Sequence, residues 1–168
     1  MLSTDFDVTR PWPAASSLPA CDGFDFPVGA PDAAGYHDAQ PFGDNDHLGN
    51  DWNGNGGGNS DLGDPVYATA TGRVVQAIDI GGDWGNLVRI VHGCRVESLY
   101  AHLDTIEVAP GSTVRRGQRI GTIGTAHGTY PAHLHFELRD RPLPLGGGYD
   151  RDTTGYLDPT AYIRAHRP

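Results

Sequence analysis

After Pro65 the chain alternates short β-branched and apolar runs with turn residues: VYAT, GRVVQAIDI, NLVRIVH, RVESLYAHL, IEVAPG, TVRRGQRIGTIG and HLHFELR. Short runs recurring at about ten-residue spacing predict a mainly β, strand-rich core, a sandwich or a barrel. Near the end, Asp158 and Pro159 supply an N-cap and a first helical residue, which predicts a short terminal helix through Tyr162 and Ile163. Residues 1–42 follow neither period. Rich in Pro, Ala, Asp and Gly, with Trp12, Phe24, Phe26 and Tyr36 scattered among them, they read as an irregular arm lying over a domain of residues 43–168. The polar stretch GDNDHLGNDWNGNGGGNSDLGD, from Gly43 to Asp64, reads as a loop rich in oxygen and nitrogen donors.

Composition agrees with many strands and tight turns, because Gly and Pro contribute 24 and 13 of the 168 residues. That length suits one domain with a real core. A net charge of -9, with no basic stripe, argues against nucleic acid as partner. No apolar run approaches the roughly 20 residues of a membrane span. The opening MLSTDFDVTRPWPAASSLPA has neither the basic start nor the apolar stretch of a secretory signal. Cys21 and Cys94 form no CxxC, which excludes a thiolate zinc knuckle and leaves two free thiols or one disulfide. In an oxidising compartment the two are expected to pair and to pin the arm to the β-core.

In HLHFELR, strand alternation puts His133, His135 and Glu137 on one face and Leu134, Phe136 and Leu138 on the other. Two imidazoles then project side by side from a rigid element, one able to bind a metal and the other standing beside whatever the metal holds. His47 and Asp51 are four apart, but Gly49 and Asn50 between them make a helix improbable, so the pair is expected in a loop. In SLYAHL the same alternation pairs Tyr100 with His102 on one face. Each feature alone has a bland reading as surface or structural polarity. Their conjunction, HxxxD, then a strand histidine, then HxH, points to a metal site.

The stretch from about Gly43 to Ile163 resembles the lysostaphin-like, LytM-type zinc metallopeptidases of bacterial cell walls. HLGND, GDPVYATATGRVVQA, WGNLVRIVH, LYAHLDTIEVAPGSTVRRGQRIGTIG, PAHLHFEL and LDPTAYI carry the likeness. The resemblance implies a curved antiparallel β-sheet with a metal-binding groove. It implies one zinc per chain on His47, Asp51 and His135, and catalytic roles for His102 and His133. It further implies a peptidoglycan peptide as substrate and a secreted or cell-envelope location. Three protein ligands leave a fourth position for water, whose pKa on zinc falls to about 7. The chain departs from the family pattern in the inserted WNGNGGGNS, expected to border the groove, and in His127, which stands where a glycine is usual. Trp52, Asn53, Tyr100 and His127 are therefore candidates for the groove walls.

Three rival readings remain at this level. DxNxNG from Asp51 begins like a calcium loop, but its twelfth position is Leu62, not a bidentate glutamate. A sugar-binding β-domain could use Trp52 and Trp84 but leaves the five His and Asp positions unexplained. A non-catalytic relative that binds cell wall or activates an amidase would be expected to have lost ligands. His37, His92 and His166 have no patterned company and read as surface or turn residues.

Overall fold

The computed structural model describes residues 8–168, and these form two antiparallel sheets with a short C-terminal helix. Strands β1 (Tyr36–Gln40), β2 (Asn50–Gly54), β3 (Pro65–Tyr67), β4 (Gly72–Asp79), β5 (Asn86–His92) and β6 (Val96–Leu103) are followed by β7 (Thr105–Ile106), β8 (Thr113–Val114), β9 (Arg119–Thr122), β10 (Leu134–Arg139) and β11 (Tyr156–Leu157). The large sheet has the order β1-β2-β10-β6-β5-β4-β8, with β11 also paired to β10; the small sheet has the order β3-β9-β7. Helix α1 (Pro159–Ala165) begins where expected, with the Asp158 carboxylate accepting from the Ala161 amide at 3.2 Å.

The main core lies on one face of the large sheet. Val88, Ile90, Tyr100, Leu134, Phe136 and Leu138 pack there against Val66, Ile120 and Ile123 of the small-sheet region and against Ile163 of the helix. The arm joins this core through buried Phe24, Phe26 and Val28, and the Cys21–Cys94 disulfide ties it to the sheet, with Cα atoms 5.4 Å apart. No helix among the described residues is long and apolar enough to cross a membrane.

Three strands, β1, β2 and the two-residue β11, lie where the sequence pattern predicts none. β1 falls inside the stretch read as irregular: it is an edge strand whose side chains are at most half buried, so it needs little apolar alternation. β2 brings Asp51, Trp52 and Asn53 out of the expected loop and into the sheet, between β1 and β10. Its buried positions are Asn50, Trp52 and Gly54, two of which carry no hydrophobic signal. His92 is also corrected. It is fully buried, held between the Thr71 carbonyl and the Ser98 hydroxyl, and burial pushes its pKa down to about 4.

Candidate metal centre

Three ligand-type atoms converge at the junction of β2 and β10. In the sheet register His135 lies directly opposite Asp51, so both side chains leave the same face. His47, just before β2, is held in line by its Nδ1, which donates to the Gln40 carbonyl at 2.8 Å. A carbonyl can only accept, so Nδ1 carries the proton and Nε2 offers a lone pair. His135 Nε2 lies 2.8 Å from Glu137 Oε1, which by the same logic frees Nδ1. His47 Nε2 is then 3.1 Å from His135 Nδ1, His135 Nδ1 is 3.1 Å from Asp51 Oδ1, and His47 Nε2 is 3.4 Å from Asp51 Oδ1.

That triangle can be tested against zinc. A tetrahedral site with ligands at about 2.0–2.2 Å places neighbouring ligand atoms roughly 3.3–3.6 Å apart, close to the observed edges. Two lone pairs and a carboxylate oxygen facing one another repel unless a cation lies among them. Without a metal, a proton takes that part: burial lowers the His135 pKa, but Asp51 and Glu137 outweigh it and hold it up at about 9. The residues therefore fit a zinc ion by geometry and by donor chemistry.

Glu137 is itself buried, and the Arg139 guanidinium and His135 beside it keep its carboxyl well below the usual range. Arg139 donates from Nε and Nη2 to Glu137 Oε2 at 2.9 and 2.7 Å.

Two further imidazoles stand at the triangle. His133, just ahead of β10, donates from Nδ1 to the Pro131 carbonyl at 2.9 Å, and its Nε2 lies 3.7 Å from Asp51 Oδ1. His102 arrives by a break in alternation. Between the pairs Val88↔Tyr100 and Asn86↔Leu103, β6 has one residue more than β5, and His102 occupies this bulge with φ +64°. The bulge turns its ring onto the His135 side, 4.8 Å from the His133 ring and 5.6 Å from the His135 ring. Its Nδ1 donates to the Trp84 carbonyl at 3.2 Å. Burial, then the neighbouring His135 and His133, push its pKa down to about 3.

Asp51, His102, His133 and His135 line a groove of about 660 Å³. Of the four wall candidates, none lines it. Tyr100 obeys the alternation that His102 breaks, so it points into the main core, where its hydroxyl accepts from the Thr69 amide at 2.8 Å. Trp52 likewise faces the core, edge-on to Phe26. Asn53 shares the face of Asp51 but sits further along β2, opposite His37. His127 is exposed and bonded to Asp79 at 2.9 Å. The inserted loop is displaced too, and no residue from 53 to 64 is among the lining. The walls come instead from Ile80–Trp84, Tyr130, Gln40 and Leu145–Tyr149. The available signal was the aromatic residues set in glycine-rich turns, GGDWGN and LGGGY.

The model of peptidase family M23 matches residues 47–147, more than half of the chain. Lipoprotein NlpD of Yersinia enterocolitica is 46% identical over 77 residues, which are 46% of this chain and 78% of that protein. The murein hydrolase activator NlpD of Escherichia coli (strain K12) is 44% identical over 77 residues, 46% of this chain but 20% of its own length. Among solved structures, a zinc containing peptidase from Vibrio cholerae superimposes with a TM-score of 0.52 at 27% identity, over 77% of this chain and 41% of that one. Lysostaphin from Staphylococcus simulans, at 24% identity and a TM-score of 0.60 over 78% of this chain and 50% of its own, shares the fold. The chain thus spans about a fifth of the Escherichia coli activator and half or less of these two peptidases. Together with the motifs quoted above, the matched span shows that the chain belongs to peptidase family M23, the lysostaphin-like, LytM-type family.

Proposed function

We propose that the protein is a zinc-dependent hydrolase that cuts peptide bonds of bacterial cell-wall peptidoglycan. The observation that carries this reading is the triangle of His47 Nε2, Asp51 Oδ1 and His135 Nδ1, whose two imidazoles already spend their other nitrogens on fixed acceptors. These three atoms would hold one zinc per chain. A zinc ion there supplies Lewis-acid polarisation of a carbonyl and acidifies a water at neutral pH.

The side chains around it have separable tasks. His133 has its Nδ1 committed to Pro131, so Nε2 is the atom free to take a proton from a water beside Asp51. His102 has its Nδ1 committed to Trp84, which leaves Nε2 for the substrate. The proton that His133 takes from the water, relayed to that Nε2 across the 4.8 Å between the two rings, is held weakly there, since burial disfavours the imidazolium. It therefore hydrogen-bonds the reacting carbonyl oxygen and passes on readily to the leaving amine. The cystine supports an extracytoplasmic site of action, secreted or in the cell envelope.

A second reading, a non-catalytic activator of another cell-wall hydrolase, is favoured by the likeness to the murein hydrolase activator of Escherichia coli. Against it stands the complete set of three ligand-type residues and two further histidines. Elemental analysis tests the proposal: about one zinc per chain is expected, with loss of the metal in His135→Ala. Full zinc occupancy in that variant would remove His135 from the ligand set.

A further inference from the structure

The groove wall formed by Leu145–Tyr149 is fastened at both of its ends to the two histidines of the triangle. At one end, Arg139 donates from Nη1 to the Pro144 carbonyl and from Nη2 to the Leu145 carbonyl, both at 2.9 Å. The same guanidinium grips Glu137, which orients His135. At the other end, His47 and Tyr149 form an isolated β-bridge, flanked by Leu48 N–H donating to the Gly148 carbonyl and Asp150 N–H to the Asp46 carbonyl, both at 2.9 Å. Between these anchors lie Gly146, Gly147 and Gly148, the first and last with positive φ. Glycines give this span little conformational preference of its own, so its position depends on its ends and on the Trp84 indole, whose Nε1 donates to the Gly146 carbonyl at 3.2 Å.

We propose that a metal ion at the triangle orders this wall, with Glu137 and Arg139 as positioning residues that couple ligand to wall; the inference rests on the reading that His47, Asp51 and His135 hold zinc. Joining the two imidazoles to one ion fixes both anchors with respect to each other. Without the ion the two anchoring rings lose their common tie, and the glycine span depends on its hydrogen bonds alone. Burial of Arg139 and Glu137, both 0% exposed, makes the linkage stiff, because neither partner can exchange its hydrogen bonds for water.

A second buried pair on the same sheet provides the control. Arg89 grips Glu97 through Nε at 2.9 Å and Nη2 at 3.1 Å; Glu97 lies opposite Arg139 in the β6–β10 register, but its carboxylate is held by Arg89 and Trp12 rather than by a triangle residue or the wall. The test is hydrogen exchange over residues 144–150 of the full chain, zinc-loaded and zinc-stripped, together with zinc affinity by chelator competition. In the native sequence zinc should slow exchange across this segment. Glu137→Gln and Arg139→Lys should weaken zinc binding by about 10–100-fold and abolish the zinc-dependent protection of the Arg139 end. Arg89→Lys should keep native zinc affinity and protection even where it lowers thermal stability. Zinc binding that leaves exchange over 144–150 unchanged in the native protein would overturn the inference alone, and that comparison needs no variant to fold. An Arg89→Lys affinity loss equal to that of Arg139→Lys would also overturn it. Failure of the native protein to bind zinc would overturn both this inference and the metal reading beneath it.

Discussion

The bulge at His102 makes a prediction whose sign is opposite to the ordinary rule. In a regular strand glycine is less stable than alanine by about 0.5–1 kcal/mol, because it loses more backbone freedom on folding. At φ +64° the comparison reverses. Alanine there carries the left-handed penalty of about 1–2 kcal/mol, which glycine escapes. His102→Gly and His102→Ala lose the same imidazole and the same hydrogen bond to Trp84, so the difference between them isolates the backbone. Glycine should be the more stable variant by about 0.5–1 kcal/mol, or roughly 2–4 °C per kcal/mol in melting temperature for a domain of this size. Urea titration of both variants measures the difference directly. Turnover should fall about a hundredfold or more in each, since each removes the same imidazole, to which the proposed function gives a catalytic role. An alanine variant as stable as the glycine variant, or more so, would refute the left-handed bulge. It would also return Tyr100 and His102 to one face.

Other expectations rest on single contacts of the fold. Tyr100→Phe removes the acceptor of the Thr69 amide and should cost about 1–3 kcal/mol in denaturant titration while leaving zinc content and turnover unchanged. Cys21→Ser with Cys94→Ser opens a cross-link spanning 73 residues and should lower stability by about 4 kcal/mol on the chain-entropy account, read as a drop in the urea midpoint. In the metal-free protein the raised His135 pKa contributes stability fully below about pH 6.5, and this is lost as the pH climbs through about 9. Zinc must displace that proton, so calorimetry between those pH values in buffers of differing ionisation enthalpy should show proton release on binding, and its absence would count against a protonated His135.

The residues that converge on the triangle were legible because each belongs to a short motif with a stiff geometry. HLHFE alternates on one strand, and register with β2 then sets Asp51 opposite His135. The β4, β5, β6 and β10 runs were legible for a related reason, being apolar enough to show their period. The groove walls were not. A period-two reading carries Tyr100 to the side of His102, and only the extra residue in β6 reverses it, a feature of pairing with β5 that no local pattern encodes. Trp52 reads as a wall residue because it opens the inserted WNGNGGGNS, which is expected to border the groove. Its strand takes its burial from the sheet on both sides, so the indole goes inward. Glu137 was placed on the metal face by alternation, but its link through Arg139 to Leu145 depends on the return of the chain after β10.

Under the proposed function this chain cuts peptide bonds in peptidoglycan with a metal held by His47, Asp51 and His135. The most direct test of that function is incubation of the zinc-loaded protein with defined muropeptides, followed by mass spectrometry of the products. Pairs of fragments whose masses together exceed that of the parent by one water are expected with zinc, and are expected to be absent with the stripped protein and with His135→Ala. Muropeptides recovered intact beside a protein that holds its full zinc would contradict that function and leave the activator reading in its place.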